Sequence, residues 1–417
     1  MSSVLVSPGD LHGGVTAPGS KSFTQRAVLI SAFSSTPLTL RNVALCDDDI
    51  VSADIAKKCG LSVTKGDKTF KINGEFVLPK KIFAGESGTS YRLVIGLLAG
   101  KRGIVDVEVS SQLSKRPVLP LLNALSERGL SYSLNDLSLH LDGSNVTKGT
   151  VRIDPSQSSQ FVSASILFQS MMGDQGVVEI YGNKVSWGYV DLTKYILAQF
   201  GPAVSETSSG FKVSGEFYHN PIDLTVDGDF SSASFIFAAG ILSSRDGITI
   251  RGLRSDSFQP DSSILDILGF RDGFAHNTGY FVSSKDPGPI TVDANVTPDL
   301  APPLAVLGMF SESGSRILNP ARLRGKESDR YADLIRLAHA FGSRVYDSND
   351  YVLIRKAEFP IYPDSLDFTE HRMIMAGIIA GIASGRPVKH SNVEKITKSY
   401  PSFLSDLKKL GAGVDFI

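Results

Sequence analysis

The chain has 417 residues with 42 basic and 43 acidic side chains, a formal charge of −1, so two or three domains are expected and no global field attracts nucleic acid or an anionic membrane. With 42% hydrophobic and 20% charged residues, 39 Gly and 20 Pro, the chain is expected to bury a sizeable core and to be neither disordered nor fibrous. Its two cysteines, Cys46 and Cys59, make no CxxC pair, the longest apolar run, Met373 to Ala383, falls short of the ~18 residues of a spanning helix, and the N-terminus lacks a basic stretch leading into an apolar one, which leaves no expected disulfide scaffold, thiolate metal site or membrane span and makes the cytoplasm the default compartment.

In chain order, six segments repeat one pattern, a small or polar turn feeding an apolar helical run. They are APGSKSFTQRAVLISAF from Ala17, AGESGTSYRLVIGLLAG from Ala84, DPSQSSQFVSASILF from Asp154, DGDFSSASFIFAAG from Asp227, TPDLAPPLAVLGMF from Thr297 and DFTEHRMIMAGIIAG from Asp367. Successive starts lie roughly 70 residues apart, a period too long for the common solenoids. Strand-like runs at Val105–Val109, Val177–Tyr181 and Ile248–Leu253 make each unit a small α/β fold. Each helix start offers polar caps and free backbone N–H groups, a setting that favours anions. The polar stretch from Gly201 to Val226 divides three units from three, with a crossing near Val226.

Four clusters can carry chemistry. Lys21 and Ser22 open the first helix with Arg26 one turn on, but Ser20 stands where a nucleotide-binding loop needs Gly. Ser158, Ser159 and Gln160 offer neutral donors at a helix start. The stretch Arg322 to Arg330 packs seven charged or hydroxyl residues into nine, and Lys326 and Arg330, four apart, are expected to share a helical face and repel unless an anion lies between them. Glu327 beside them is an acid or base candidate, and in Glu370-His371-Arg372 ordinary capping accounts for only part of the charged triplet. His12, His140, His219, His276, His339 and His390 stand alone, without metal-ligand spacing, so surface or packing roles are expected for them.

Taken together, PGSKSFTQRA, GESGTSYRL, SKRP, SSQF, GDFSSAS, PDLAPPLAVL, RLRGKESDR, EHRM and KSYPSF resemble the 5-enolpyruvylshikimate-3-phosphate synthase family nearly end to end. The resemblance implies a two-lobed inside-out α/β barrel of six repeats, three per lobe, with both chain termini in one lobe, so that the expected domains are 1–14 with 227–417, and 15–226, and with helix starts facing an active-site cleft between the lobes. It implies transfer of the enolpyruvyl group of phosphoenolpyruvate to the 5-hydroxyl of shikimate 3-phosphate with no metal or organic cofactor, in a monomer that binds neither nucleic acid nor membrane. By motif, Lys21, Ser22, Arg26, Ser158, Ser159, Gln160, Ser186, Tyr189, Asp299, Arg322 and Lys326 correspond to the shikimate 3-phosphate site. Lys21, Gly88, Arg116, Gln160, Arg330, Arg372 and Lys398 correspond to the phosphoenolpyruvate site.

Catalysis falls by the same resemblance to Asp299, which orients or deprotonates the hydroxyl, to Glu327, which protonates and later deprotonates C3, and to Lys21. The two substrates carry roughly −5 to −6 of charge, which seven matching cations can balance. Glu86, Leu93, Arg322 and the run Ser186-Trp187-Gly188-Tyr189 depart from the family's usual residues and bear on affinity and glyphosate sensitivity; inhibition competitive with phosphoenolpyruvate is expected because Gly88 leaves room for that inhibitor. Two other readings are a sister transferase acting on UDP-N-acetylglucosamine and a non-catalytic nucleic-acid-binding repeat protein. Neither Cys46 nor Cys59 lies near the loop around Arg116 where the sister enzyme usually has a cysteine, and no basic stripe interleaved with aromatics supports the second.

Overall fold

Each repeat buries one helix on all sides, because its residues are small or apolar around the whole circumference. A computed structural model describes residues 2–173, 175–271, 274, 275 and 279–417; His276 lies outside them. The six helices are Lys21–Ser34, Gly88–Gly100, Ser159–Met172, Phe230–Ser243, Ala301–Met309 and His371–Ser384. None of the described helices is long and apolar enough to cross a membrane.

Six four-stranded sheets share one plan. In one, Lys81–Phe83 runs parallel to Ile104–Glu108, joined to it through the Gly88–Gly100 helix. Ile104–Glu108 then pairs antiparallel with Ser138–Asp142, and that strand with Ser131–Leu134. The other five repeat this sequence of one parallel and two antiparallel pairings. Strands alternate buried with more exposed residues, as in Ile104–Glu108. Helices are thus interior and sheets exterior, the inverse of a barrel whose strands line the core.

Two compact units result, one of residues 1–19 and 227–417, the other of residues 20–226. The predicted boundary after residue 14 falls inside a strand, Gly13–Thr16, which pairs in parallel with Ile248–Arg251. Splitting there would break that ladder, so the chain leaves the unit after Gly19. The reciprocal exchange has Ile222–Thr225 alongside Leu38–Arg41. Ser3–Ser7 lies between Val388–Ser391 and Gly413–Phe416.

Five of the six helices have a side-chain cap, from Ser20, Ser87, Ser158, Asp229 and Glu370. The fifth in chain order departs from the expected polar start: its cap position is Leu300, followed by Ala301-Pro302-Pro303. Two of its first three residues have no N–H, so there is little to cap, and Asp299 is left for other partners. Both cysteines are buried and free. His390 packs its ring against Gly377 and Gly381 at 3.3–3.5 Å from where a Cβ would stand, and burial holds its imidazole down to about 3.

In the 20–226 unit, a Cβ at Gly96 would stand 2.1 Å from the Ala164 carbonyl oxygen of the neighbouring Ser159–Met172 helix. That backbone cannot yield without separating the helices, so Gly96→Ala is expected to lose about 1–3 kcal/mol through overpacking. Gly325→Ala, with no atom within 4 Å of the added carbon, is expected to stay near wild type; urea unfolding compares them.

Candidate active site

In the 20–226 unit, hydrogen bonds join the starts of three buried helices. Gln25 donates to Ser87 Oγ (3.2 Å), and Gln160 donates through Nε2 to Thr89 Oγ1 (2.9 Å). Arg92 donates to Gln160 Oε1 (2.6 Å) and twice to the Pro117 carbonyl (3.2 and 2.8 Å). That grip fixes the turn holding Arg116, whose Nη1 lies 2.5 Å from where a Cβ of Gly88 would stand. Only glycine admits the guanidinium there.

Lys21, at the first helix start, pairs with Asp48 at 2.8 Å, both largely buried. Arg26 has no accessible surface. Its Nε donates to Thr193 Oγ1 (2.8 Å), Nη1 to the Ser22 carbonyl (2.8 Å) and Nη2 to the Tyr189 carbonyl (3.3 Å), and burial lowers its pKa to about 10, with Tyr189 opposing. Direct ligand contact was the expectation for Arg26; instead its donors fasten the backbone of two other expected site residues. Ser158 Oγ accepts from the Gln160 N–H (3.3 Å), and Ser159 beside it is buried. Ser186 takes a left-handed φ of 47°, and its buried Oγ has no hydrogen-bond partner among the described residues, a hydroxyl available to an incoming group. Glu86 is exposed while Ser87 and Gly88 are buried.

The other unit gathers charge. Arg330, fully buried, donates through Nη1 to Asp299 Oδ1 (2.9 Å) and the Pro298 carbonyl (3.2 Å), and through Nη2 to Glu327 Oε2 (3.2 Å) and Glu370 Oε1 (3.3 Å). Arg372 reaches Asp299 Oδ2 at 2.9 Å. Burial works to raise the proton affinity of Asp299, but Arg372, Arg330 and Lys326 outweigh it and hold the carboxyl well below its ordinary range, with Glu327 opposing them. Half-buried Lys326 is pushed down to about 7 by desolvation; Asp299 and Glu327 oppose this, while Arg322 and Arg330 add to it. Arg322 is half-buried in the turn Pro320–Leu323, and Lys398 is buried at the end of Val393–Lys398.

Two expectations for this unit change. Lys326 and Arg330 do not share a helical face, because Asp329 caps a helix that begins only at Arg330 and Lys326 lies in the preceding turn. The anions that reconcile Arg330 with its neighbours are the protein's own carboxylates, so Arg330, like Arg26, has no surface open to a ligand. Sequence reasoning missed Arg92, Asp48 and Asp261. The buried Asp261 accepts from Ser231, and burial, reinforced by the charge of Asp299, raises its pKa. Arg92 lies within the GESGTSYRL motif and its cationic type was a usable signal; Asp261, outside every family motif, offered none. Among the described residues no cluster of His, Cys, Asp and Glu could hold a metal ion.

Comparison with known proteins bears on this arrangement. The chain is 38% identical over 403 residues to a 3-phosphoshikimate 1-carboxyvinyltransferase of Picrophilus torridus, covering 96% of each chain, and 39% identical over 411 residues to that of Thermoplasma volcanium, covering 97% and 98%. Its fold is similar to EPSP synthase from Acinetobacter baumannii, with a TM-score of 0.81 at 20% identity over all of both chains. It is also similar to the enolpyruvyl transferase NikO from Streptomyces tendae, with a TM-score of 0.77 at 19% identity over 100% and 99%. A model of the EPSP synthase (3-phosphoshikimate 1-carboxyvinyltransferase) family matches residues 6–407, and with relatives this similar over almost their whole length, the chain belongs to that family.

Proposed function

We infer that this chain transfers the enolpyruvyl group of phosphoenolpyruvate to the 5-hydroxyl of shikimate 3-phosphate and releases inorganic phosphate. Family membership supports the enolpyruvyl transfer, and neither UDP-N-acetylglucosamine as acceptor nor a non-catalytic role finds support among the relatives. The observation that carries the mechanism is the cluster around Arg330, in which an ionised Asp299, a lysine poised near neutrality and Glu327 lie within electrostatic reach of one another.

Addition requires the 5-hydroxyl to lose a proton and C3 of phosphoenolpyruvate to gain one. A carboxylate clamped by two guanidiniums is a weak base, but the hydroxyl turns strongly acidic as its oxygen bonds to C2, so Asp299 accepts first its hydrogen bond and then its proton, which leaves with the phosphate. Glu327 delivers the proton to C3 and removes one as the intermediate collapses. Lys21, Arg116 and Lys398 offset the charge developing on the departing phosphate. Ser158, Ser159 and the unpartnered hydroxyl of Ser186 cradle the shikimate phosphate, with Ser22, Gln160, Tyr189, Arg322 and Lys326 completing that side. Gly88, Arg116 and Arg372 hold phosphoenolpyruvate. Arg26 and Arg330 act from behind these groups, as the bonds they already make imply.

Phosphate release from phosphoenolpyruvate is expected with shikimate 3-phosphate and not with UDP-N-acetylglucosamine, in chelator-treated buffer; silence with both would remove the catalytic reading. Glu327→Gln is expected to lower turnover about 10²–10⁴-fold, the span typical of lost acid–base catalysis, while titration still shows shikimate 3-phosphate binding. An anionic substrate needs Lys326 protonated, so affinity for shikimate 3-phosphate should hold below pH 7 and weaken above it by up to about tenfold per pH unit. Lys326→Arg should flatten that slope in binding titrations between pH 6 and 8.5. Gly88→Ala, which drives a methyl into the Arg116 guanidinium, should raise KM for phosphoenolpyruvate about tenfold, the effect of one weakened charged hydrogen bond, and leave KM for shikimate 3-phosphate unchanged.

A further inference from the structure

Five ionisable side chains close a ring in the unit of residues 1–19 and 227–417. Glu370 Oε1 meets His371 Nδ1 at 3.0 Å and Arg330 Nη2 at 3.3 Å. Arg330 Nη1 meets Asp299 Oδ1 at 2.9 Å, and Asp299 Oδ2 meets Arg372 Nη2 at 2.9 Å. Arg372 Nη1 closes the circuit at 2.8 Å from His371 Nε2. Glu370 and Arg330 have no side-chain exposure, His371 1% and Arg372 5%, so water cannot substitute for a lost partner.

The proton positions follow from chemistry. A guanidinium has donors only, so the nitrogen facing Arg372 must accept. His371 therefore carries its proton on Nδ1, donates it to Glu370, and is neutral. Protonation of Nε2 would set a donor against a donor and a cation against a cation inside a closed site. Glu370 also accepts from the Met373 N–H at 3.1 Å as the cap of its helix, so the imidazole is fixed to a rigid element rather than to a loop. Neighbouring helical residues ordinarily point apart; here the first turn folds His371 and Arg372 back against one another.

We propose that His371 is a positioning residue for phosphoenolpyruvate binding, whose neutral Nδ1–H tautomer holds the Arg372 guanidinium in the plane that also grips Asp299. This rests on the assignment of Arg372 to phosphoenolpyruvate under the proposed function. The ring gives the Glu-His-Arg triplet a reason beyond capping: Glu370 fixes the tautomer, His371 aims the cation, and Arg372 presents it.

Nitrogen-15 NMR of the intact, substrate-free protein with labelled histidine, assigned with His371→Gln, should show Nδ1 protonated and Nε2 accepting throughout pH 6–8. An Nε2–H tautomer or an imidazolium would overturn the proposal. In steady-state assays His371→Leu should raise KM for phosphoenolpyruvate about tenfold or more, as expected for a lost charged hydrogen bond, with KM for shikimate 3-phosphate unchanged. His371→Gln, whose amide oxygen can stand where Nε2 accepts, should stay within about threefold of wild type on the same scale. Equal losses in both variants and for both substrates would make His371 merely structural. The control is Arg372→Lys. An unchanged KM for phosphoenolpyruvate there would overturn the Arg372 assignment and the proposal with it, whereas a raised one beside an unchanged His371→Leu would overturn the positioning role alone. If His371→Leu fails to fold, the tautomer and the Gln variant still decide the matter.

Discussion

A guanidinium with no exposure must be neutralised where it lies, and the burial of Arg330 is the constraint on which one whole unit's chemistry depends. Its carboxylate partners come from three places: Asp299 just before the Ala301–Met309 helix, Glu327 in the turn before Arg330, and Glu370 at the start of the His371–Ser384 helix. Removing one partner of a buried ion pair typically costs about 3–5 kcal/mol, because the charge left behind is uncompensated. Any arrangement that keeps the fold therefore keeps these three acids around one point. Two of them are the groups proposed to handle protons, and under that proposal stability and catalytic geometry draw on one set of contacts.

The two units meet the demand of buried polarity differently. In the 20–226 unit, beside the single Lys21–Asp48 pair described at its first helix start, the helix starts are tied by neutral donors and acceptors, Gln25 to Ser87 and Gln160 to Thr89, with Arg26 and Arg92 spent on carbonyls, a hydroxyl and an amide oxygen. In the other unit ionised groups face one another. The helix starts reflect this division: Ser20, Ser87 and Ser158 cap the former three, whereas Ala-Pro-Pro at the Ala301–Met309 helix removes donors and frees Asp299 for its two arginines. At that start the donor-poor backbone leaves both Asp299 oxygens to the arginines, whereas Glu370 caps with one oxygen and meets Arg330 with the other.

How much of this could be read from the sequence depends on the range of the forces involved. The six helices were legible because small and apolar residues recur over whole turns, and the roughly 70-residue period corresponds to six sheets of one pattern. The first crossing was not: whether Gly13–Thr16 belongs with the helix just after it or with Ile248–Arg251 is decided by a strand partner more than two hundred positions away, and local patterning carries no trace of that choice. Lys21, Gly88, Arg116, Asp299 and Glu327 stand in motifs that make them candidates from sequence alone. The isolation of Arg26 and Arg330 from solvent was not legible, because a cation in a polar motif reads the same whether it faces a ligand or a buried carboxylate. Asp261 was missed for a related reason. Its altered proton affinity comes from burial and from Asp299, neither of which lies beside it in the chain.

The strand exchange also bears on how the molecule is made. Ser3–Ser7 has as its partners Val388–Ser391 and Gly413–Phe416, strands synthesised far later, and Gly13–Thr16 waits for Ile248–Arg251. Residues 20–226 form a unit with its own three sheets, so that part can complete its pairing while synthesis continues, as domains generally do. Gly13–Thr16 stays unpaired until Ile248–Arg251 is made, and Ser3–Ser7 until Val388–Ser391 follows. For that interval an apolar strand, Val4-Leu5-Val6, is exposed with open edges, the kind of segment that invites association with other chains. The time this strand spends vulnerable to aggregation is set by the stretch of message that separates it from its partners, and a chaperone that binds short extended apolar segments would have its natural target in Ser3–Ser7.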